Sequence, residues 1–395
     1  MKRSAISVER QLGLRPVPGS SGAFALVPPA APARVTLPPQ EAGAVNVAER
    51  ALEALSARWS AEVELRAAAG ALLRREAVRS GEIEGTRTTE DELIDARLAP
   101  GGRRDDDLLV TGNYVDAMAW GLERAREARR SCLTTETVQG LHRRLMQGAE
   151  FYADPPGQFR DRQVWIGGGG IHTARLVPPP PAVVPDCMEV LLQALAEEEE
   201  AETVFGVPLV TRGAVAQAQF EAIHPFRDGN GRVGRMLFPL LLAADGYPPL
   251  GLAGALGRRR ERYYELLNAV QLRGEWVPWV GLVARCVTEA CEEASTLADG
   301  LAAVSKDWTE RLADLRSDAL ARKLPSLLLS QPRVTLALLT NEFDVSSSVA
   351  SRALSQAVER GILRQRGTAR RNRVFEAPEV LEALFGTRPP PPEHR

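Results

Sequence analysis

The stretch "TRGAVAQAQFEAIHPFRDGNGRVGRMLFPLLLAADG", Thr211 to Gly246, decides the fold. Small and apolar residues precede Ile223 and long apolar residues follow Val233, both at helical spacing, whereas Asp228, Gly229, Asn230 and Gly231 break the pattern. The stretch therefore predicts helix, short loop and second helix, with Arg232 to Arg235 in the first turn of the second. Free backbone N–H groups and the positive end of the macrodipole make such a turn a place for anions. Arginines there oppose the dipole at a cost of roughly 0.3–1 kcal/mol each unless an anion lies close, and two of them three residues apart share one face. Two readings follow from this local pattern: a polar turn with its arginines in solvent, or a polyphosphate resting on the helix N-terminus. The second gives every residue a task. Gly229 and Gly231 let backbone approach phosphate, Asn230 donates an amide hydrogen bond, and Asp228 is a hard oxygen ligand suited to magnesium. His224, ordinarily titrating near ~6.5, can take a proton from an incoming hydroxyl.

Outward from this loop, 395 residues suggest two or three units, and 44% hydrophobic with 25% charged residues match a water-soluble globular chain. A net charge of -2 argues against wholesale attraction to nucleic acid or to an anionic membrane, although a local basic face can hide in the average. The opening "MKRSAISVERQLGLRPVPGS" has no apolar run behind its basic start, so neither a signal peptide nor a membrane span is expected. Cys132, Cys187, Cys286 and Cys291 lack metal spacing and read as reduced packing residues, which points to the cytoplasm.

Residues 1–43, punctuated by proline and glycine, read as an extended arm. A helical region follows over 44–105, in which Leu52, Leu55, Trp59 and Val63 recur at three and four residues and Gly85 is a stop. Residues 106–300 form a helical block. Within it, "TTETVQGLHRRLMQG" opens on capping threonines, and "CMEVLLQALAEEEEAE" is a helix with a solvated acidic end. "GQFRDRQVWIGGGGIHTARLVPPPP" sets two β-like runs around glycines, as a hairpin does. Residues 306–386 read as helix, turn, serine-capped helix and two basic β-like runs, the grammar of a winged helix-turn-helix, and 387–395 is a tail.

"HPFRDGNGRVGR" resembles the signature of the Fic family, HxFx(D/E)GNGRxxR, at every fixed position. The preceding "TTETVQGLHRRLM", the hairpin segment and the later "RRRERYYELLNAVQLRGEWVPWV" resemble the same family, so that residues from about 45 to 300 are covered. The resemblance implies a mainly α fold: a Fic helical domain with a β-hairpin flap, an N-terminal helical extension and a C-terminal α+β winged helix. It implies transfer of AMP from Mg-ATP to a Ser, Thr or Tyr hydroxyl of a target protein, with His224 as base and Asp228 holding Mg2+. Gly229, Asn230 and Gly231 would form the anion hole, Arg232 and Arg235 would engage the outer phosphates, and Phe226 would fix the loop. Gln163, Val164, Trp165 and Ile166 of the flap would clamp the target, Tyr263 would flank the adenine, and a homodimer through the helical core is expected. Glycine at 231 favours AMP transfer over phosphate transfer, since the phosphorylating members usually carry lysine there.

"SGEIEG", Ser80 to Gly85, fits the inhibitory pattern (S/T)xxxE(G/N) of the family's second class. A glutamate in a helix's last turn meets an unfavourable dipole and is more comfortable opposite a cation. The resemblance makes Arg235 that cation and Glu84, with Ser80, the brake that keeps ATP from binding productively. The same glutamate aligns a hydrolytic water in some relatives, so a Glu84-dependent deAMPylase or bifunctional enzyme stays open. In the tail, Arg352, Arg360, Arg364, Arg366, Arg370, Arg371 and Arg373 crowd the recognition helix and wing. Arg352, Arg370, Arg371 and Arg373 are the candidate DNA contacts, and a DNA-binding regulator with a nucleotide-sensing Fic part is the other alternative.

Overall fold

The computed structural model describes residues 1–98, 105–197, 207–368 and 372–386. In chain order the elements that matter here are β1 (Leu14–Pro16), β2 (Phe24–Leu26), α1 (Pro39–Ala61), α2 (Val63–Glu84), α3 (Asp106–Ala128), α4 (Thr135–Leu145), α5 (Val184–Ala196), α6 (Leu209–Ile223), α7 (Asn230–Ala244), α8 (Arg260–Arg273) and α9 (Trp276–Arg311). After them come β3 (Arg333–Thr335), α10 (Leu336–Phe343), α11 (Ser347–Glu359), β4 (Arg364–Arg366) and β5 (Val374–Glu376).

Packing groups the chain into two units that do not follow sequence order. The first contains Met1–Ser56, Glu76–Thr88 and Arg104–Cys291; the second contains Ala57–Arg75, Thr89–Arg103 and Glu292–Arg395. The second unit draws on the N-terminal helical region because Ala68 and Ala71 join the same apolar cluster as Leu301, Trp308, Leu328, Leu339 and Leu354.

In the first unit α6 is buried on all sides, every residue except Arg212 being inside. A helix buried on every side lies inside its unit, and its small residues allow the close approach this requires. At Gly213 an added Cβ would meet the Phe238 ring at 2.2 Å. The buried indole of Trp279 donates to the Ala214 carbonyl at 2.7 Å, so its one polar group is satisfied. Thr134 caps α4 by accepting from the Thr137 N–H, as the threonine pattern led one to expect.

Three expectations need correcting. Residues 1–43 are not merely extended: β1 and β2 pair antiparallel with Leu14 opposite Leu26, and α1 begins at Pro39. The stripe from Leu52 to Val63 is not one helix face, since the helix breaks between Ala61 and Val63 and Val63 is exposed, leaving Leu52 and Leu55 as its buried members. The segment after Gly157 forms no two-stranded ladder, only a single antiparallel bridge between Ile166 and Leu176. Its tip turns through left-handed glycines, and at Gly168 an added Cβ would strike the Thr173 carbonyl oxygen at 2.4 Å. The acidic run beyond Glu197 lies outside the described residues.

In the second unit β3 precedes α10 and α11, and β4 and β5 follow, forming an antiparallel sheet of order β3-β5-β4. Asp344, at a left-handed φ of 48°, turns the chain between the helices, and Ser346 caps α11 by accepting from the Val349 N–H. Arg333 is buried and held by Asp91 and Asp95, each at 2.9 Å. Cys132, Cys187, Cys286 and Cys291 are free thiols. Among the described residues no helix is long and apolar enough to cross a membrane.

Candidate active site

The site is built where α6 ends and α7 begins. His224 terminates α6 in the left-handed region, at φ 51° and ψ 61°, an unusual place for a non-glycine residue and one that turns the chain into Pro225. Arg160 holds this turn: its Nε donates to the His224 carbonyl at 2.8 Å, its Nη2 to the Pro179 carbonyl at 2.5 Å, and its backbone N–H to the Pro225 carbonyl at 2.9 Å. A cation on the last carbonyls of a helix is favoured by the dipole. Burial pulls Arg160 down to about 10 without removing its charge at neutral pH.

The loop is fixed from below. Phe226 is buried and stacks on His142, with ring centroids 3.8 Å apart and planes 6° from parallel. The Gly157 N–H donates to His142 Nδ1 at 2.9 Å, and with that nitrogen the acceptor, Nε2–H donates to the Asp228 carbonyl at 3.1 Å. Burial lowers His142 to about 4, so the ring is a neutral strut joining α4, the flap's base and the loop. Neither His142 nor Arg160 was singled out from sequence. "LHRR" and "FRDR" offered only a polar position within an amphipathic run.

Asn230 is arranged otherwise than expected. Its side-chain oxygen accepts from the Phe226 N–H at 2.9 Å and its amide donates to the Phe226 carbonyl at 2.9 Å, so the amide closes the loop instead of pointing at a ligand. Gly229, at φ 77°, is the residue before α7. Asp228 accepts from the Gly229 N–H at 2.6 Å, keeps a half-exposed side chain, and lies 3.9 Å from Arg232 Nη2. Arg232 itself is buried in the first turn of α7.

Arg235, one turn further, is buried and fully engaged on one edge. Its Nε donates to Ser80 Oγ at 2.8 Å, and its Nη2 donates to the Ser80 carbonyl at 2.9 Å and to Glu84 Oε1 at 2.7 Å. Among the described residues Nη1 has no hydrogen-bond partner. Burial works against both charges, but the pairing outweighs it, holding Glu84 below the ordinary carboxylate range and Arg235 above its usual value. Glu84 is the last residue of α2, before Gly85 at φ 96°. It stands so close over α7 that a Cβ on Gly231 would fall 2.1 Å from its Oε1. A glycine at 231 is therefore required for this arrangement, independently of any phosphate.

A cavity of about 280 Å³ opens here, lined among others by Glu84, Arg175, Glu221, His224, Arg235 and Tyr264. His224 is lowered to about 4, first by burial and then by Arg160, so its imidazole is neutral at physiological pH. Ile166 of the flap lines the same cavity; Gln163 donates to the Pro178 carbonyl at 2.8 Å, Val164 is half-buried and Trp165 is exposed. Tyr263 also lines it, though almost completely buried, whereas the neighbouring Tyr264 lies between Arg175 and Arg260, each near 6 Å from its ring. Of the residues proposed from sequence as DNA contacts, Arg352 and Arg373 are exposed, and Arg370 and Arg371 lie outside the described residues. Three other arginines of that crowd are already paired: Arg360 with Asp314, Arg364 with Glu376 and Arg366 with Asp95.

These features define a helical protein with a histidine-led loop at a helix start and a glutamate over that helix's second arginine. Residues 132–242 match the Fic/DOC family model and residues 43–123 match the family's N-terminal model, so both regions are similar to that family. It is 28% identical over 296 residues to the protein adenylyltransferase Fic of Drosophila melanogaster, covering 70% of this chain and 56% of that one. To the protein of the same name from Drosophila erecta it is 27% identical over 285 residues, covering 69% and 53%. The chain thus spans about half the length of the curated relatives it matches. A Fic family protein from Desulfovibrio desulfuricans shares the fold, with a TM-score of 0.51 and 19% identity over 87% of this chain and 97% of that one.

Proposed function

We propose that this chain is a protein adenylyltransferase restrained by its own Glu84. The observation that carries the reading is the contact between Arg235 and Glu84, 2.7 Å apart, beside a neutral His224 on the same cavity. In the reaction a target hydroxyl attacks the α-phosphorus of ATP, the bond to pyrophosphate breaks, and His224 Nε2 accepts the hydroxyl proton. The backbone N–H groups at the start of α7 receive the phosphates, and Arg232 and Arg235 answer their charge. Asp228 fits a magnesium ion: it is a hard, half-exposed oxygen donor beside this helix start, and magnesium commonly takes one or two carboxylates with the rest from phosphate and water. When bound, that ion would neutralise phosphate charge and orient the leaving group.

Arg235 cannot serve the outer phosphate while Glu84 holds it. Incubation with labelled ATP tests the reading: Glu84→Gly should raise automodification several-fold over the parent, and His224→Ala in the same background should abolish it. Equal labelling of parent and Glu84→Gly would remove the brake; no AMP adduct by mass spectrometry in either would remove the activity.

The second unit carries a winged helix-turn-helix in this reading, with α11 as recognition helix. DNA contact would rest on exposed Arg352 and Arg373. A salt-sensitive gel shift lost in the Arg352→Ala, Arg373→Ala double variant would support it.

A further inference from the structure

Among the described residues His224 Nδ1 is buried with no partner in good hydrogen-bond geometry, and the groups of Glu221 that face it are its backbone carbonyl and its carboxyl. A base that works through Nε2 needs the other nitrogen protonated and its proton held, because the partner of that nitrogen decides which tautomer is present. Glu221 lies one helical turn earlier on the same face of α6, its Oε2 3.8 Å from Nδ1. The carboxyl is buried, and α7 leaves room for it through Gly234, where a Cβ would stand 3.1 Å from Glu221 Oε1. A buried carboxyl is costly unless something uses it. We propose that Glu221 is the positioning residue of His224: its carboxylate accepts a hydrogen bond from Nδ1–H, keeps the proton on that nitrogen, and so leaves the Nε2 lone pair facing the substrate hydroxyl. The proposal rests on the reading of His224 as the base.

The 3.8 Å separation is longer than a hydrogen bond, as catalytic pairs often are before substrate closes the site. In the transfer step the target oxygen bonds to the α-phosphorus, the oxygen–phosphorus bond to pyrophosphate breaks, and the proton moves to Nε2. The resulting imidazolium then has a carboxylate on its far side. Were Glu221 protonated instead, its O–H would donate to Nδ1, the ring hydrogen would sit on Nε2, and the ring could not accept there. Burial raises Glu221 to about 7, placing this exchange near neutral pH. The charged and titratable groups around it are Arg235, Glu84, Arg175 and Tyr263, with Arg160 and Glu84 around His224.

The chain has 4 histidines, so nitrogen-15 labelling of the imidazoles is tractable, with His224 assigned by its loss in His224→Ala. At pH 8 the wild-type ring should be the Nδ1–H tautomer. Glu221→Gln, which still offers an acceptor, should keep that tautomer, and Glu221→Leu should move it toward Nε2–H; Glu221→Met replaces the leucine variant if that one does not fold. In the Glu84→Gly background, the Leu change should lower kcat for AMP transfer at least about tenfold with KM for ATP unchanged. Glu221→Gln should recover most of that rate while losing its rise with pH around 7. An unchanged tautomer in Glu221→Leu overturns the proposal, since the backbone carbonyl of the same residue also faces the ring. If Glu84→Gly transfers no AMP at all, the function reading fails, while the tautomer measurement still decides the role of Glu221.

Discussion

Replacing Glu84 should strengthen ATP binding, and the structure sets the size of the effect. In the free protein Arg235 donates to Ser80 twice and to Glu84 once; only the Glu84 bond joins two charges. A charge-assisted hydrogen bond contributes about 1.5–3 kcal/mol. Breaking a fully buried pair costs more, about 3–5 kcal/mol. The Arg235 side chain is 2% exposed but that of Glu84 is 33% exposed, so solvent screening selects the lower range. An outer phosphate that must displace Glu84 loses this amount, and at about 1.4 kcal/mol per tenfold the affinity deficit is roughly 10- to 100-fold. Titration calorimetry with Mg-ATP should therefore show Glu84→Gly binding roughly 10- to 100-fold tighter than the parent, and Glu84→Gln, which keeps bulk and a neutral acceptor, lying between them. The free Glu84→Gly protein should melt lower, because Arg235 keeps only neutral partners, and added ATP should restore more Tm to it than to the parent. Identical Kd values for parent and Glu84→Gly would refute the competition.

Other outcomes follow from buried groups near the site. Burial raises Glu76 to about 7, so ionising it destabilises the fold progressively as pH rises from its unfolded value of 4.5 to its folded one. Glu76→Gln, which can still accept from the Ala253 N–H, should remove that penalty, gaining on the order of 1–3 kcal/mol over the parent at pH 8 and little at pH 4 in paired denaturant titrations. His142→Ala deletes the stacking partner of Phe226 and the donor to the Asp228 carbonyl; denaturation should show a loss of about 2–4 kcal/mol, and AMP transfer in the Glu84→Gly background should fall with it. Gly231→Ala places a Cβ against Glu84 Oε1, so the carboxylate must leave Arg235 or the start of α7 must shift. Thermal melting should register a cost of about 1–3 kcal/mol, and the Glu84→Gly, Gly231→Ala double variant should recover part of it.

Much of the site was legible in the sequence because it is local. His224, Phe226, Asp228, Gly229, Asn230 and Gly231 lie within eight positions, and a loop between two apolar helices has few ways to fold. Helix ends marked by Thr134, Gly85 and Ser346 were legible for the same reason: a cap satisfies backbone groups a few residues away. The short "SGEIEG" pattern carried less information alone, and the mismatch of two arginines with a helix dipole was what asked for a counter-charge.

What only the tertiary structure decided is which distant partners meet. Arg235 and Glu84 are 151 positions apart, and His142 reaches the Asp228 carbonyl across 86, separations over which no helical or strand period links two side chains. The amide of Asn230 faces Phe226 because the loop's own backbone groups, buried by packing, had to be satisfied before any ligand could be. The fate of the tail's arginines was equally nonlocal, since the Asp95 that holds Arg366 comes from a segment 271 positions earlier. Sequence determined the chemistry available and the local turns that present it; burial determined which of those charges are neutral, which are paired, and which residue His224 is set against.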